Sequence, residues 1–277
     1  MTINSNQVEA SVGETLRTVF AEESGPVTAV GFDEDSTREL VEMLAESEEP
    51  PKVRLLVREE VLKWLRDDFM LASAAAELLE ADTLEIRAAT DRLDGAVVAP
   101  EETVVSLLTP DAEHSAALVT DDEEFVEAAR ERWNSRWKEG EAFDLRTPAY
   151  SRVLESLGEE FGSEMESDFQ TILESVESTN ENGKLDEVGL SLLVAAKHEQ
   201  MLYDISRWGE DVGVASRTTF SRTKTQLEEK GLIDTEKVPI DVGRPRLRLV
   251  VGDKRLREAD PDELASVARE MLSAAPV

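Results

Sequence analysis

Ser216, Arg217, Thr218, Ser221, Arg222 and Thr225 fall within one short stretch, SRTTFSRTKTQLEEKG, of a 277-residue chain. Their side chains are guanidinium forks and short hydroxyls, groups that donate to phosphate oxygens and to the acceptors on base-pair edges. Ser216 reads as the N-cap of a helix, which leaves the helix N-terminus free to face a phosphate. Phe220 and Leu227 lie seven residues apart and so share a face, where they can pack on Ile205 and on Leu190 or Leu193. The polar residues then point the other way. A solvated Arg/Thr face is the plain alternative, and the helix alone does not choose between the two.

The segment that follows does. KGLI ends the helix at Gly231, and two strand-like runs, LIDTEKVP and RLRLVVG, flank IDVGRP. Gly243 permits a tight turn, Pro245 stiffens it, and Arg244 and Arg246 stand on either side of the proline. A stiff, arginine-rich tip suits a narrow minor groove, whose negative potential attracts guanidinium. Arg248 alternates with Arg246 along the strand and shares its face.

Charge separates this region from the rest. The formal net charge is −31, with 61 acidic residues against 30 basic ones, of which 21 are arginine and 9 lysine. From Ser216 to Arg257 there are 11 Lys or Arg and 6 Asp or Glu, whereas the remainder carries 19 and 55. A solvated face needs no such exception, so the exception points to a polyanion, double-stranded DNA. Elsewhere the acid is spread over every expected helix, which suggests a chain kept soluble in concentrated salt, where self-repulsion is screened. High salt also weakens binding driven by counterion release. Reading of bases and shape must then supply more of the affinity.

The elements that position these residues follow from periodicity. Before the candidate helix come two more helical segments, LDEVGLSLLVAAKHEQ and MLYDISRWGE. After the hairpin comes a last helix, signalled by Asp260 as cap, Pro261 at the first position and Asp262 and Glu263 in the first turn. Three helices, a hairpin and a closing helix describe a winged helix-turn-helix (α+β) over residues 184–277. The N-terminal part alternates strand-like runs (VTAVGF, VRLLV, LEIRAA, GAVVA, TVVSLL, SAALV) with amphipathic stretches such as DSTRELVEMLAES. That alternation predicts an α/β domain over residues 1–161, for sensing or dimerisation. Residues 162–183, with FQTILESVE and the polar STNENGK, read as a linker helix and breaker. A long helix is expected from Asp122 to about Lys138, with Phe125, Val126, Ala129, Trp133 and Trp137 along one stripe.

Other chemistry finds little support. The chain has no cysteine, which removes disulfides, thiolate metal sites and cysteine nucleophiles. GxGxxG, GxxxxGK[ST] and GxSxG are absent, and His114 lacks an HxK partner. Asp33 and Asp35 could hold a metal or a phosphoryl group, but after a strand they more often cap the next helix. Asp121 to Glu124 read as first-turn acids favoured by the helix dipole, and Trp133 and Trp137 as core or dimer contacts. No catalytic residue, metal or cofactor is expected, and a small-molecule effector is suggested by architecture alone. The N-terminus lacks secretory features and no apolar run spans a bilayer, so a cytoplasmic chain without a membrane partner is expected. The competing class is an enzyme, with chemistry in the α/β domain and the winged helix making protein contacts; the missing motifs and the basic wing disfavour it.

On SRTTFSRTKTQLEEKGLI the chain resembles winged-helix transcriptional regulators of archaea. With its acidity and domain order it is most similar to the haloarchaeal TbsP-type regulators. The resemblance implies promoter binding as a homodimer, with metabolic genes among the targets. One position departs from the pattern. Lys224 stands where such helices place leucine, so either Thr223 takes the core position or the helix is slightly rotated.

Overall fold

The computed structural model describes residues 6–21, 25–93, 95–111, 114–177, 185–239 and 245–273. They form two compact units, Met1–Ala149 and Tyr150–Val277.

The first unit runs β1 (Asn6–Glu9), α1 (Val12–Ala21), β2 (Val27–Val30), α2 (Glu34–Glu46), β3 (Val53–Val57), α3 (Glu59–Asp67), α4 (Phe69–Glu80), β4 (Leu84–Ala88), β5 (Ala96–Ala99), β6 (Val104–Asp111), β7 (His114–Thr120), α5 (Glu123–Glu139) and β8 (Glu141–Ala142). One sheet takes all eight strands in the order β1-β7-β6-β5-β2-β3-β4-β8. Only β2, β3 and β4 run parallel, joined by helical crossovers; every other pairing is antiparallel.

The apolar run Leu55–Val57 of β3 follows from burial on both sides. Val53, Leu55 and Val57 join the core built with α1, α2, α3 and α4, while Leu56 meets Val30, Ala99, Trp133 and Trp137 beneath α5. Both tryptophans are thus core residues. Asp33 caps α2 by accepting from the Ser36 N–H at 2.9 Å, and Asp122 caps α5 by accepting from that of Phe125 at 3.0 Å. Asp33 thus takes the capping role expected of it. One stripe residue departs from expectation: Phe125 is 54% exposed.

The second unit comprises α6 (Tyr150–Phe161), α7 (Ser163–Glu177), α8 (Glu187–Lys197), α9 (Leu202–Val212), α10 (Arg217–Glu229), β9 (Ile233–Val238), β10 (Arg246–Val251), α11 (Lys254–Glu258) and α12 (Pro261–Ser273). The division at Ala149 lies ahead of the expected one at Phe161, and α7 is not a free linker. Met165, Phe169, Ile172 and Leu173 are all buried where α7 meets α6, α8 and α12. An amphipathic connector and a packed helix carry the same 3.6-residue pattern, so the pattern alone could not separate them. Among the described residues no helix is long and apolar enough to cross a membrane.

Candidate nucleic-acid interface

α8, α9 and α10 pack on one another, and β9 and β10 form the antiparallel hairpin that follows. A third backbone segment joins the hairpin. Met201, just before α9, bridges Arg248, and the Leu249 N–H donates to the Gln200 carbonyl at 2.9 Å. The hairpin is thereby fixed to the helical core at the start of α9. That helix ends at Gly213, whose φ of 101° is the left-handed conformation glycine adopts without a Cβ penalty.

Ser216 caps α10 by accepting from the Thr219 N–H at 3.2 Å. The buried face consists of Phe220, Thr223 and Leu227. Thr223 therefore occupies the core position. Lys224 lies beside the core, paired with Glu228 at 2.6 Å, and Glu228 also accepts from the Thr235 hydroxyl at 2.9 Å. This arrangement ties α10 to β9. A glycine sets how closely α10 approaches α9: a Cβ at Gly209 would lie 2.3 Å from the Phe220 ring.

The outward face brings together Arg217, Thr218, Ser221, Arg222 and Thr225 around one shallow groove, with Gln226 and Glu229 completing its border. Neither Gln226 nor Glu229 was singled out by residue type. The two arginines differ. Arg222 is exposed, with no hydrogen bond or ion pair among the described residues. Arg217 is held: its Nε lies 2.7 Å from the Glu210 carboxylate, and its guanidinium sits 5.7 Å from the centre of the Tyr203 ring.

Tyr203, on α9, is the residue that sequence reasoning missed. Its ring also carries Arg246 at 5.1 Å, and Arg246 lies 3.9 Å from Asp204. One exposed aromatic thus holds the first arginine of α10 and the first arginine of β10. A lone tyrosine within MLYDIS carries no local sign of two cations arriving from distant segments.

Arg248 is committed elsewhere, 3.1 Å from Glu236 across the hairpin and 3.5 Å from Glu199. Arg244 lies outside the described residues, as do residues 240–243. The arginines the structure does describe near the wing therefore sit on Tyr203 or on carboxylates. Beyond the wing, Arg257 donates to the Val251 carbonyl at 3.0 Å. Asp253 caps α11; the Arg255 side chain, followed by the Arg255 backbone N–H, holds its carboxyl below the ordinary carboxylate range.

Three packed helices followed by a hairpin, with a polar and cationic face on the third helix, define a winged helix-turn-helix unit. Residues 4–148 match the family described as "Transcriptional regulator TbsP-like, N-terminal", and residues 149–269 match "Transcriptional regulator TbsP-like, C-terminal HTH domain". The chain belongs to the TbsP-like transcriptional regulators. No curated protein sequence matches it. Among solved structures it is similar to TrmBL2, described as an archaeal chromatin protein with a novel mode of DNA binding. That similarity has 17% identity and a TM-score of 0.36, and covers 52% of this chain and 55% of TrmBL2. The chain thus aligns with about half the length of that protein, and a likeness at this level carries no argument.

Proposed function

We propose that the chain is a sequence-specific DNA-binding transcription regulator that reads an operator through the N-terminal half of α10. The single observation behind this reading is the convergence of Arg217, Thr218, Ser221, Arg222 and Thr225 on one exposed groove of a helix capped by Ser216. Guanidinium forks and hydroxyls at the N-terminus of a major-groove helix are suited to phosphates and base edges. Glu229 borders the far end of the groove, and a carboxylate repels phosphate, so contact belongs to the N-terminal half.

The wing adds Arg246 and Arg248 and, from the turn, Arg244 at the minor groove. Because one winged helix reads a half-site, the regulator acts as a homodimer on a palindromic operator. The α/β unit serves dimerisation or effector sensing. The acidity of the chain fits a cytoplasm rich in salt, as in halophilic archaea, with metabolic genes as targets. It acts by binding and not by catalysis.

The test is occupancy of the chromosome in the source organism, followed by fluorescence anisotropy on the recovered site in molar KCl. A recurrent palindromic sequence bound by the wild type and bound more weakly by Arg222→Ala is the expected result. Occupancy without a recurrent sequence would overturn sequence-specific reading. A monomer mass by light scattering at the same salt would remove the dimer.

A further inference from the structure

In the first unit, α5 and strands β5–β7 bound a cleft of about 820 Å3. Its apolar wall includes Leu118, Phe125 and Trp133, and its polar groups are the Ser106 and Thr120 hydroxyls and the Arg132 guanidinium. Leu118 and Phe125 are 44% and 54% exposed; among the described residues only Leu108 and Tyr203 are large hydrophobics as open as these. Phe125 continues the apolar stripe of α5 that elsewhere faces the core, yet here it lines the open cleft. Such surface left wet is a cost that an apolar occupant would relieve.

Charge says what else the occupant carries. In a chain with 61 acidic residues, the only charged side chain among the described residues that line this cleft is Arg132. A second cleft of equal volume, also bordered by α5, is lined by Glu101, Glu102, Asp121, Glu123, Glu127 and Glu131 with Arg130. One cleft therefore repels anions and the other offers a single cation. A guanidinium pairs with a carboxylate in two parallel hydrogen bonds. A dianion would leave one charge unmatched in the field of a molecule whose net charge is −31.

We propose that this cleft binds a small amphipathic monocarboxylate, its apolar body against Leu118, Phe125 and Trp133 and its carboxylate on Arg132, with Ser106 and Thr120 as hydrogen-bonding partners. Volume and lining are those of a small-molecule site. Control of DNA binding by such a ligand rests on the regulatory reading above; the binding itself does not.

The experiment is therefore run on the full chain without DNA, by isothermal titration in molar KCl, with 2-naphthoate and its neutral counterpart 2-naphthamide as probes. One naphthoate per chain is expected. Arg132→Gln should weaken naphthoate by about tenfold or more, the loss of one charge-assisted pair, and leave naphthamide unchanged. Leu118→Glu, at an exposed position, should remove both without changing the circular dichroism spectrum. Three results would overturn the proposal: no saturable naphthoate binding, equal naphthoate affinity in wild type and Arg132→Gln, or a dimer that Leu118→Glu splits and that accepts naphthoate only once split. In the last case the face belongs to a second copy of the chain.

Discussion

Arg217 and Arg222 project from the same helix face with the same chemistry, yet they start from different states. Arg222 has no partner to give up among the described residues, so on the proposed reading its contact with DNA is a net gain. Arg222→Ala should weaken operator binding by about 1–3 kcal/mol and leave the melting temperature unchanged. Arg217 must first leave Glu210 and the Tyr203 ring. An exposed ion pair contributes about 0–1 kcal/mol and an exposed cation–π contact about 0.5–1 kcal/mol. Arg217→Ala should therefore cost about 1 kcal/mol less than Arg222→Ala, and Glu210→Gln should tighten binding by up to about 1 kcal/mol. Anisotropy titrations of the three variants on one operator check both statements. Tyr203 links Arg217 to Arg246, so a double-mutant cycle between these arginines should show coupling of about 0.5–1 kcal/mol. That coupling should survive Tyr203→Phe, which keeps the ring, and vanish in Tyr203→Leu.

At the scale of the element, the spacing of α9 and α10 depends on Gly209. A methyl group there would stand 2.3 Å from two carbons of the Phe220 ring, so one helix must shift. Gly209→Ala should destabilise the second unit by about 1–3 kcal/mol, the usual cost of overpacking. Denaturant unfolding measures it, and an unchanged midpoint would show that Phe220 repacks freely.

The legibility of these elements in the sequence follows from where their information lies. β3 at Val53–Val57, the cap at Ser216 and the start of α12 at Pro261 are local signals, and all three were legible. Pairing is not local. That β5, β6 and β7 run antiparallel beside a parallel β2-β3-β4 core depends on contacts between distant segments, as does β1 as the edge partner of β7. α7 was misread as a linker because its apolar stripe does not say whether a partner exists. The outward residues of α10 were legible because Phe220 and Leu227 fix the inward face. The Tyr203 sandwich was not, because its three members come from α9, α10 and β10.

For the whole molecule, a net charge of −31 means that dilute buffer is a destabilising condition, since unscreened like charges repel in the compact state. The Debye length falls from about 10 Å at 0.1 M salt to about 3 Å at 1 M. The melting temperature should accordingly rise from dilute to molar KCl, by more than any loss of exposed ion pairs offsets, and calorimetry at a series of salt concentrations checks it. A flat profile would show that the acidic surface is already neutralised internally. The same acidity has a further consequence at the interface. If α10 and the wing contact DNA as proposed, Glu210 and Asp204 stand to Arg217 and Arg246 as phosphate oxygens would, a mimic of the target. Docking on a duplex is then an exchange of one anion for another, and random sequence, offering phosphates alone, returns little more than those arginines already hold. Only a site that also satisfies Arg222 and the hydroxyls of α10 yields a surplus. Promiscuity is restrained by the carboxylates, and discrimination is built in before any base is read.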